Sequence, residues 1–228
     1  MQSAKPNQPV LSSITLIGLG LSLLMPVVHI LVINPLFLKP GINEPLLTLL
    51  NFGVLWGLAL GVLLFTHKVE KRPLSSIGWQ PLSLKWTFIA IGIGVLLSLL
   101  VPVLTLLVTP LFPPTDTGTV TDVSSRFPWW ILLLSVLTAG VTEEILFRGY
   151  PLERLLSGTN KTWLSAGISL IFFVAVHAAG WNLAHIVGVV LPLGAALTGL
   201  YLWRRNLLFV MIVHLVIDLP LVILSLLA

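Results

Sequence analysis

The chain has 228 residues, of which 57% are hydrophobic and only 9% are charged, and its mean hydropathy is +1.05. A soluble domain carries roughly 25% charged residues, and several uncharged runs here reach the roughly 20 residues that cross a bilayer core. This composition excludes a soluble globular domain and predicts a membrane protein. The chain has no cysteine, so disulfides, thiol nucleophiles and cysteine-ligated metals are also excluded.

The apolar runs predict helices, because a backbone that crosses lipid must satisfy its own hydrogen bonds and the alternating pattern of a membrane barrel is absent. The fifth and sixth runs form one apolar tract that is interrupted only by "HAAGWN", which indicates a tight turn. We therefore predict an all-α polytopic membrane protein with about seven transmembrane helices in a single domain, residues 1–228. The predicted spans are residues 11–33, 46–66, 86–108, 128–147, 162–180, 183–203 and 206–226.

The basic residues predict the orientation, because short cytoplasmic loops collect Lys and Arg. With the N-terminus in the cytoplasm and the C-terminus outside, ten of the twelve basic residues lie on the cytoplasmic side, and only Lys39 and Arg126 lie outside. The net charge of +4 then follows from topology and gives no reason to expect nucleic acid as a partner. The loop of residues 109–127 becomes an extracytoplasmic connector without a fold of its own. The ten cytoplasmic residues are Lys5, Lys68, Lys71, Arg72, Lys85, Arg148, Arg154, Lys161, Arg204 and Arg205.

Six polar residues are confined to three of the last four predicted spans. A charge at the bilayer centre costs from about 2.5 kcal/mol on insertion scales to more than about 10 kcal/mol in simulations. Ionisable side chains inside a span are therefore a hypothesis of function by default. The six are Glu143, Glu144, Arg148, His177, His214 and Asp218.

The spacing of these residues predicts different neighbours for the two adjacent glutamates. Glu144 and Arg148 are four residues apart and share a helix face, so we expect their side chains to pair, and His214 and Asp218 have the same spacing. Glu143 lies about 100° around the helix from Glu144. One carboxylate is thus held by arginine, while the other is free to titrate.

Several interpretations of this cluster stay open on the residues alone. A buried ion-pair network could fix the helix packing, and a proton- or ion-coupled transporter could use the same groups as a relay. Glu143, His177 and His214 could instead bind zinc, although no H-E-x-x-H spacing is present. A fourth interpretation, a protease that activates water without a metal, comes from a resemblance to a known family.

Three motifs favour the protease. "EEILFR" (143–148) resembles the EExxxR motif of the CPBP family, also called Abi, of intramembrane glutamic endopeptidases, which includes type II CAAX prenyl proteases and bacteriocin-processing or immunity proteins. "FVAVH" (173–177) is similar to its FxxxH motif, and "HLVID" (214–218) to its third motif. The resemblance covers residues 128–222, the predicted catalytic core, whereas residues 1–110 carry no matching motif.

The resemblance implies hydrolysis of a peptide bond in a membrane-associated peptide or protein, without a cofactor. Glu143 would be the general base together with His177, and His214 with Asp218 would form the oxyanion hole. Glu144 and Arg148 would shape the site. Prenyl proteases of the family have Asn where this chain has Asp218, and an ionised Asp accepts hydrogen bonds but cannot donate them. Asp218 could therefore orient His214, or it could stay protonated and donate.

The same resemblance, with the small size and the Asp variant, implies a prokaryotic protein of the plasma membrane, with the lipid bilayer as its environment. The sequence has no signal for an oligomeric state. Counting residues from the loops puts Glu143 and His177 at different depths, so we expect the fifth span to be tilted or to begin below the surface. We also expect a cavity that opens from the cytoplasm and reaches the cluster.

Overall fold

A computed structural model describes residues 11–37 and 43–227 of the chain. Within these residues the regular elements are helices, and none is a strand. The main helices in chain order are α1 (Ser13–Phe37), α2 (Glu44–Val69), α3 (Leu84–Leu111), α4 (Val120–Arg126), α5 (Trp129–Thr159), α6 (Thr162–His177), α7 (Leu183–Arg204) and α8 (Leu207–Leu227).

Six of these helices, α1, α2, α3, α5, α7 and α8, are long and apolar enough to cross a membrane. The fifth predicted span is instead the 16-residue α6, which ends at His177. At about 1.5 Å per residue it is roughly 24 Å long, shorter than the roughly 30 Å hydrocarbon core. The all-α polytopic prediction is confirmed, with six long helices and one shorter apolar helix in the described part of the chain in place of about seven full spans.

Helix α5 is longer than the predicted span 128–147 and runs for 31 residues. The predicted span ended at residue 147, whereas the helix continues past Gly149 and Pro151. In the structure a π-helical stretch ends at Gly149, so Pro151 occupies the first turn of the α-helical segment that follows. Proline is tolerated there because the first N–H groups of a helical segment need no partner within it.

Two of the loops contain local structure that polar caps explain. Asn182 begins α7 by accepting a hydrogen bond from the backbone N–H of His185, as expected of a capping asparagine. Thr119 does the same for the N–H of Asp122 at the start of α4. The segment 109–127, predicted to be a connector without a fold of its own, contains one seven-residue helix behind this cap.

The contacts between turns define two ends of the bundle. At one end Arg154 donates to Glu70, and the N–H of Leu207 donates to the carbonyl of Gly78. We call this the basic end, since eight of the ten basic residues among those described lie there: Lys68, Lys71, Arg72, Lys85, Arg154, Lys161, Arg204 and Arg205.

The opposite end, called the distal end below, is held together by contacts between the 109–127 segment and the starts of other helices. The N–H of Asn182 donates to the carbonyl of Gly118, and Arg126 donates to Glu44 at the start of α2. Lys5 and Lys39, which also entered the orientation argument, lie outside the described residues.

Helix α8 packs centrally, against α3, α5 and α7. Its contact with α3 is very close at Gly94, where an added Cβ atom would lie 2.9 Å from the carbonyl oxygen of Val213. A small residue on α3 therefore lets the segment of α8 that carries His214 and Asp218 reach the middle of the bundle.

Candidate active site

The π-helical stretch of α5, Ala139–Gly149, carries Glu143, Glu144 and Arg148. π-Helical turns are rare and are frequent at functional sites. Side chains from two neighbouring helices hold this stretch. Ser22 on α1 donates to the carbonyl of Leu146, and Ser169 on α6 donates to the carbonyl of Phe147. Sequence reasoning identified the three charged residues but gave no sign of the π-helical turn or of these two serine contacts.

Glu144 is fully buried and joins two helices. Its Oε1 atom accepts hydrogen bonds from Nη1 of Arg148 at 2.8 Å and from Nδ1 of His214, on α8, at 2.7 Å. The predicted pair of Glu144 and Arg148 is therefore present. The contact with His214 was not predicted, because the two residues are far apart in sequence.

Arg148 is also fully buried, and it makes two further contacts. Its Nη2 donates to the carbonyl of Gly194 on α7 at 3.3 Å, and its guanidinium lies 3.9 Å from the centroid of the Phe173 ring. Cation–π contacts of this kind are stronger away from water. Arg148 thus connects α5, α6 and α7 around Glu144.

Glu143 points to a different neighbour, as its place on the helix predicted. Its Oε2 atom lies 3.8 Å from Nε2 of His177, at the end of α6, and both side chains are mostly but not fully buried. The Nδ1 atom of His177 lies 2.7 Å from the carbonyl of Phe173. Because a carbonyl oxygen only accepts, Nδ1 carries the hydrogen, and in the neutral ring Nε2 keeps its lone pair towards Glu143.

His214 lies between two carboxyl groups. Its Nδ1 contacts Glu144, and its Nε2 lies 3.4 Å from Oδ2 of Asp218, one turn further along α8. The Asp218 side chain is one-third exposed, whereas that of His214 is 7% exposed. Asp218 therefore lies between the buried part of the cluster and more open space.

A cavity of about 1070 Å³ brings these groups together. Glu143, His177, His214 and Asp218 all line it, and so does Phe173. Glu144 and Arg148 are not among its lining residues and lie behind this wall. The six residues that the sequence singled out are thus close together, four facing the cavity and two supporting them.

The depth difficulty raised by the sequence came from ending the fourth span too early. At about 1.5 Å per residue, Glu143 lies roughly 24 Å from the end of α5 at Thr159. His177 lies roughly 22 Å from the start of α6 at Thr162. The turn that joins the two helices is short, so the two side chains reach the same level.

The predicted opening of the cavity at the side of the basic loops was wrong. Lining residues outside the cluster include Thr109, Thr115, Thr121, Trp181 and Asn182, which all belong to the distal end. The prediction placed Glu143 near the basic loops and inferred access from there. In the structure, Ile77, Tyr201 and Leu207 are fully buried on the side of those loops.

Sequence reasoning also missed polar residues on the first two helices. The Nε2 atom of His29 lies 3.0 Å from Oδ1 of Asn51, and Nδ2 of Asn51 donates to Oδ1 of Asn34. Asn34 and Asn51 line the same cavity. The only sign of this polar group in the sequence was that Asn34 and Asn51 are polar residues within or next to apolar runs.

The alternative zinc ligands, Glu143, His177 and His214, are poorly placed for a metal. Both ring nitrogens of His214 face carboxyl groups, and a histidine ligand needs one free nitrogen lone pair. Among residues 11–37 and 43–227, no group of three or more His, Asp or Glu side chains is arranged to hold a metal ion.

The fold and the cluster define an integral membrane protein of apolar helices with carboxylate and histidine side chains facing an internal cavity. A family model described as type II CAAX prenyl endopeptidase Rce1-like matches residues 125–220, a range that includes all six residues of the cluster. Residues 125–220 are therefore similar to this family of endopeptidases, whereas residues 1–124 and 221–228 lie outside the match. Comparisons with curated proteins and with solved structures gave no match.

Proposed function

We propose that the protein is an intramembrane endopeptidase that hydrolyses a peptide bond with a water molecule activated by Glu143 and His177, without a metal ion. The observation that carries this proposal is the pairing of Glu143 and His177 across 3.8 Å in the wall of the cavity. The match of residues 125–220 to a protease family supports the general activity.

The distance between Glu143 and His177 suits a bridging water. The separation is too long for a direct hydrogen bond, but a water about 2.8 Å from each atom fits between them. Ionised Glu143 and neutral His177 both present lone pairs to it, so the water donates one hydrogen to each. Its own lone pairs then remain available to attack a carbonyl carbon.

The reaction needs one proton to move in each half. As the water oxygen bonds to the carbonyl carbon, its proton passes to Glu143 and the carbonyl oxygen becomes an oxyanion. When the C–N bond breaks, the proton on Glu143 passes to the leaving nitrogen, so that the products are a carboxylic acid and an amine. Glu143 suits this task because its carboxylate lies in the cavity wall beside His177.

His214 and Asp218 supply the oxyanion hole in this proposal. Nδ1 of His214 lies 2.7 Å from Oε1 of Glu144, and its Nε2 lies 3.4 Å from Oδ2 of Asp218 in the cavity wall. With both ring nitrogens protonated, His214 can donate to the oxyanion, a contribution of about 3–4 kcal/mol for one good donor. Asp218 then acts as a positioning residue for the His214 ring, and Arg148 holds Glu144 in place by donating a hydrogen bond to its Oε1.

The substrate of this reaction is a membrane-associated peptide or protein, and the lipid bilayer is the partner of the outer helix faces. The basic end contains eight of the ten described basic residues, which supports a cytoplasmic N-terminus and an extracytoplasmic C-terminus. We assign the protein to a prokaryotic plasma membrane.

The test is cleavage of a peptide library by purified wild type, Glu143→Gln and Glu153→Gln in detergent. Glu153 lies on the same helix but pairs with Arg205 at the basic end, so its substitution controls for the loss of a glutamate. We expect wild type and Glu153→Gln to cleave, and Glu143→Gln to lose at least about two orders of magnitude of activity.

A chelator and liposomes separate the alternatives. Wild-type cleavage should be unchanged by 1,10-phenanthroline, whereas a loss that zinc restores would support the zinc protease. Equal cleavage by Glu143→Gln and wild type would remove Glu143 as the base. Proton-dependent solute uptake into liposomes, with no cleavage, would favour the transporter.

A further inference from the structure

The cavity wall is built from the distal parts of nearly every helix. Besides the catalytic cluster, it includes Asn34 near the end of α1, Thr48 near the start of α2 and Leu106 near the end of α3. From α8 it takes Leu224, close to the C-terminal end. These elements meet at the distal end, where the exposed Thr115, Ala179 and Gly180 also line the cavity.

The basic end, by contrast, is closed by tight packing. A Cβ atom added at Gly149 would lie 3.0 Å from the carbonyl oxygen of Ile77, which shows how closely the loop after α2 covers α5. Ile77, Tyr201 and Leu207, from three separate elements, are each fully buried at this level. None of the described residues in the turns at 70–83, 160–161 and 204–206 lines the cavity.

The two ends also differ in the number of basic residues that they carry. The basic end has eight lysines and arginines among the described residues, and the distal end has only Arg126, which is paired with Glu44 and Asp122. Positive residues near span ends remain on the cytoplasmic side of a membrane. The closed end is therefore the cytoplasmic end.

Taken together, these observations lead us to propose that the active-site cavity opens to the extracytoplasmic side of the membrane, and that the substrate is a segment of an exported or membrane-anchored polypeptide exposed on that side. The cleavage part of this inference rests on the proposed function. The direction of access rests only on the cavity and the distribution of charge.

The lining of the cavity narrows the chemistry of that segment. It is mainly apolar, with threonines towards the mouth and carboxyl groups of Glu143 and Asp218 inside, and no lysine or arginine of the described chain lines it. An apolar segment that is uncharged or carries a basic residue fits this lining. An acidic segment would meet Glu143 and Asp218 without a cationic partner.

Single cysteines test the direction of access, and the natural chain has none to interfere. Thr121→Cys lies at the distal mouth and Val176→Cys lies beside His177, both in the cavity wall. Lys161→Cys lies in the exposed turn between α5 and α6 at the basic end. Each variant of the full chain is treated with a small membrane-impermeant methanethiosulfonate, first in intact cells and then after lysis.

We expect the reagent to modify Thr121→Cys and Val176→Cys in intact cells, and Lys161→Cys only after lysis. The reverse pattern would overturn the proposal, because the distal end would then face the cytoplasm. Modification of Val176→Cys only after lysis, or in neither case, would also overturn it, because the cavity would not be reached from outside.

This outcome is independent of catalysis. Cleavage is measured on purified protein in detergent, where both ends are accessible. An inactive protein with the expected labelling would keep the direction of access and remove the protease, whereas an active protein with reversed labelling would remove only the extracytoplasmic substrate.

Discussion

The side chains of Glu144 and His214 lie 2.7 Å apart, Oε1 to Nδ1, although the residues are separated by 70 positions in the chain. The same oxygen accepts a hydrogen bond from Arg148. Glu144 therefore links the helix that carries the proposed base to the helix that carries the proposed oxyanion donor. Its main effect is on the arrangement of the site, while Glu143 faces the cavity.

This division predicts different effects of one substitution at adjacent positions. Glu144→Ala leaves Arg148 and His214 buried without their carboxylate, a change that costs about 3–5 kcal/mol when one partner of a buried ion pair is removed. Glu143→Ala leaves no fully buried cation without its partner and should change the free energy of unfolding by no more than about 1 kcal/mol. Denaturant unfolding in detergent micelles measures both.

Peptide cleavage provides the complementary measurement. Glu143→Ala should be folded but inactive, whereas Glu144→Ala should lose activity together with stability. A stable Glu144→Ala protein, or a Glu143→Ala protein as unstable as it, would contradict the separate roles.

Arg148→Lys tests whether the shape of the guanidinium matters as well as its charge. Arginine donates at once to Glu144 and to the carbonyl of Gly194, and its flat face lies against Phe173. Lysine keeps the charge but not this geometry. We expect Arg148→Lys to lower the free energy of unfolding by about 1–3 kcal/mol, because a buried oxygen atom loses its hydrogen-bond donor.

The control is Arg205→Lys, at a partly exposed pair with Glu153. An exposed ion pair contributes little, so this variant should differ from wild type by less than about 1 kcal/mol. If the two lysine variants were equally stable, Arg148 would act as a charge alone.

The sequence predicted those parts of the site that depend on short spacing. Glu144 and Arg148 pair because residues four apart share a helix face, and His214 and Asp218 contact each other for the same reason. The apolar runs also identified the long helices, since each is long enough to cross the bilayer and has few charges.

The remaining features depend on how helices pack, and a residue pattern does not specify this. The contact of Glu144 with His214 requires α5 and α8 to be neighbours in one register. The π-helical stretch depends on carbonyls held by Ser22 and Ser169, which lie on other helices. The opening of the cavity at the distal end depends on which turns pack tightly. The distribution of Lys and Arg predicts the side of the membrane on which a turn lies, but not how tightly that turn packs.

Two glycines in "IGIGV" on α3 provide a test of helix approach. A Cβ atom at Gly94 would lie 2.7 Å from Cβ of Val216 and 2.9 Å from the carbonyl oxygen of Val213, whereas nothing lies within 4 Å of one at Gly92. Gly94→Ala should therefore push α3 from α8 and cost about 1–3 kcal/mol. Gly92→Ala should be neutral or up to about 1 kcal/mol stabilising, because alanine favours helix.

Because α8 also carries His214 and Asp218, Gly94→Ala should lower the rate of peptide cleavage, and Gly92→Ala should not. Thermal unfolding and cleavage rates of the two variants in the same detergent give the comparison. Equal stabilities would show that α3 and α8 do not pack as closely as the structure indicates.

The resemblance to prenyl proteases implies Asn at the position of Asp218, and the role of Asp218 in the proposed mechanism is to position His214. Its Oδ2 lies 3.4 Å from Nε2 of His214, and the side-chain oxygen of an asparagine is an acceptor that could take the same place. Asp218→Asn should therefore keep kcat within about tenfold of wild type, the equivalent of about 1.4 kcal/mol. Asp218→Leu removes the acceptor, and we expect kcat to fall by about 10²–10³ with little change in KM, because the oxyanion forms only in the transition state.

Asp116→Asn, at an exposed position in the distal segment, controls for the loss of a carboxylate. The pH dependence of kcat adds a readout that a merely structural role would not change. If the carboxylate of Asp218 keeps the His214 ring protonated, the neutral amide of asparagine cannot do so. As the pH is raised, the Asp218→Asn variant should therefore lose activity at a lower pH than wild type. Identical pH profiles for the two proteins, or a Leu variant as active as wild type, would show that Asp218 does not act through His214.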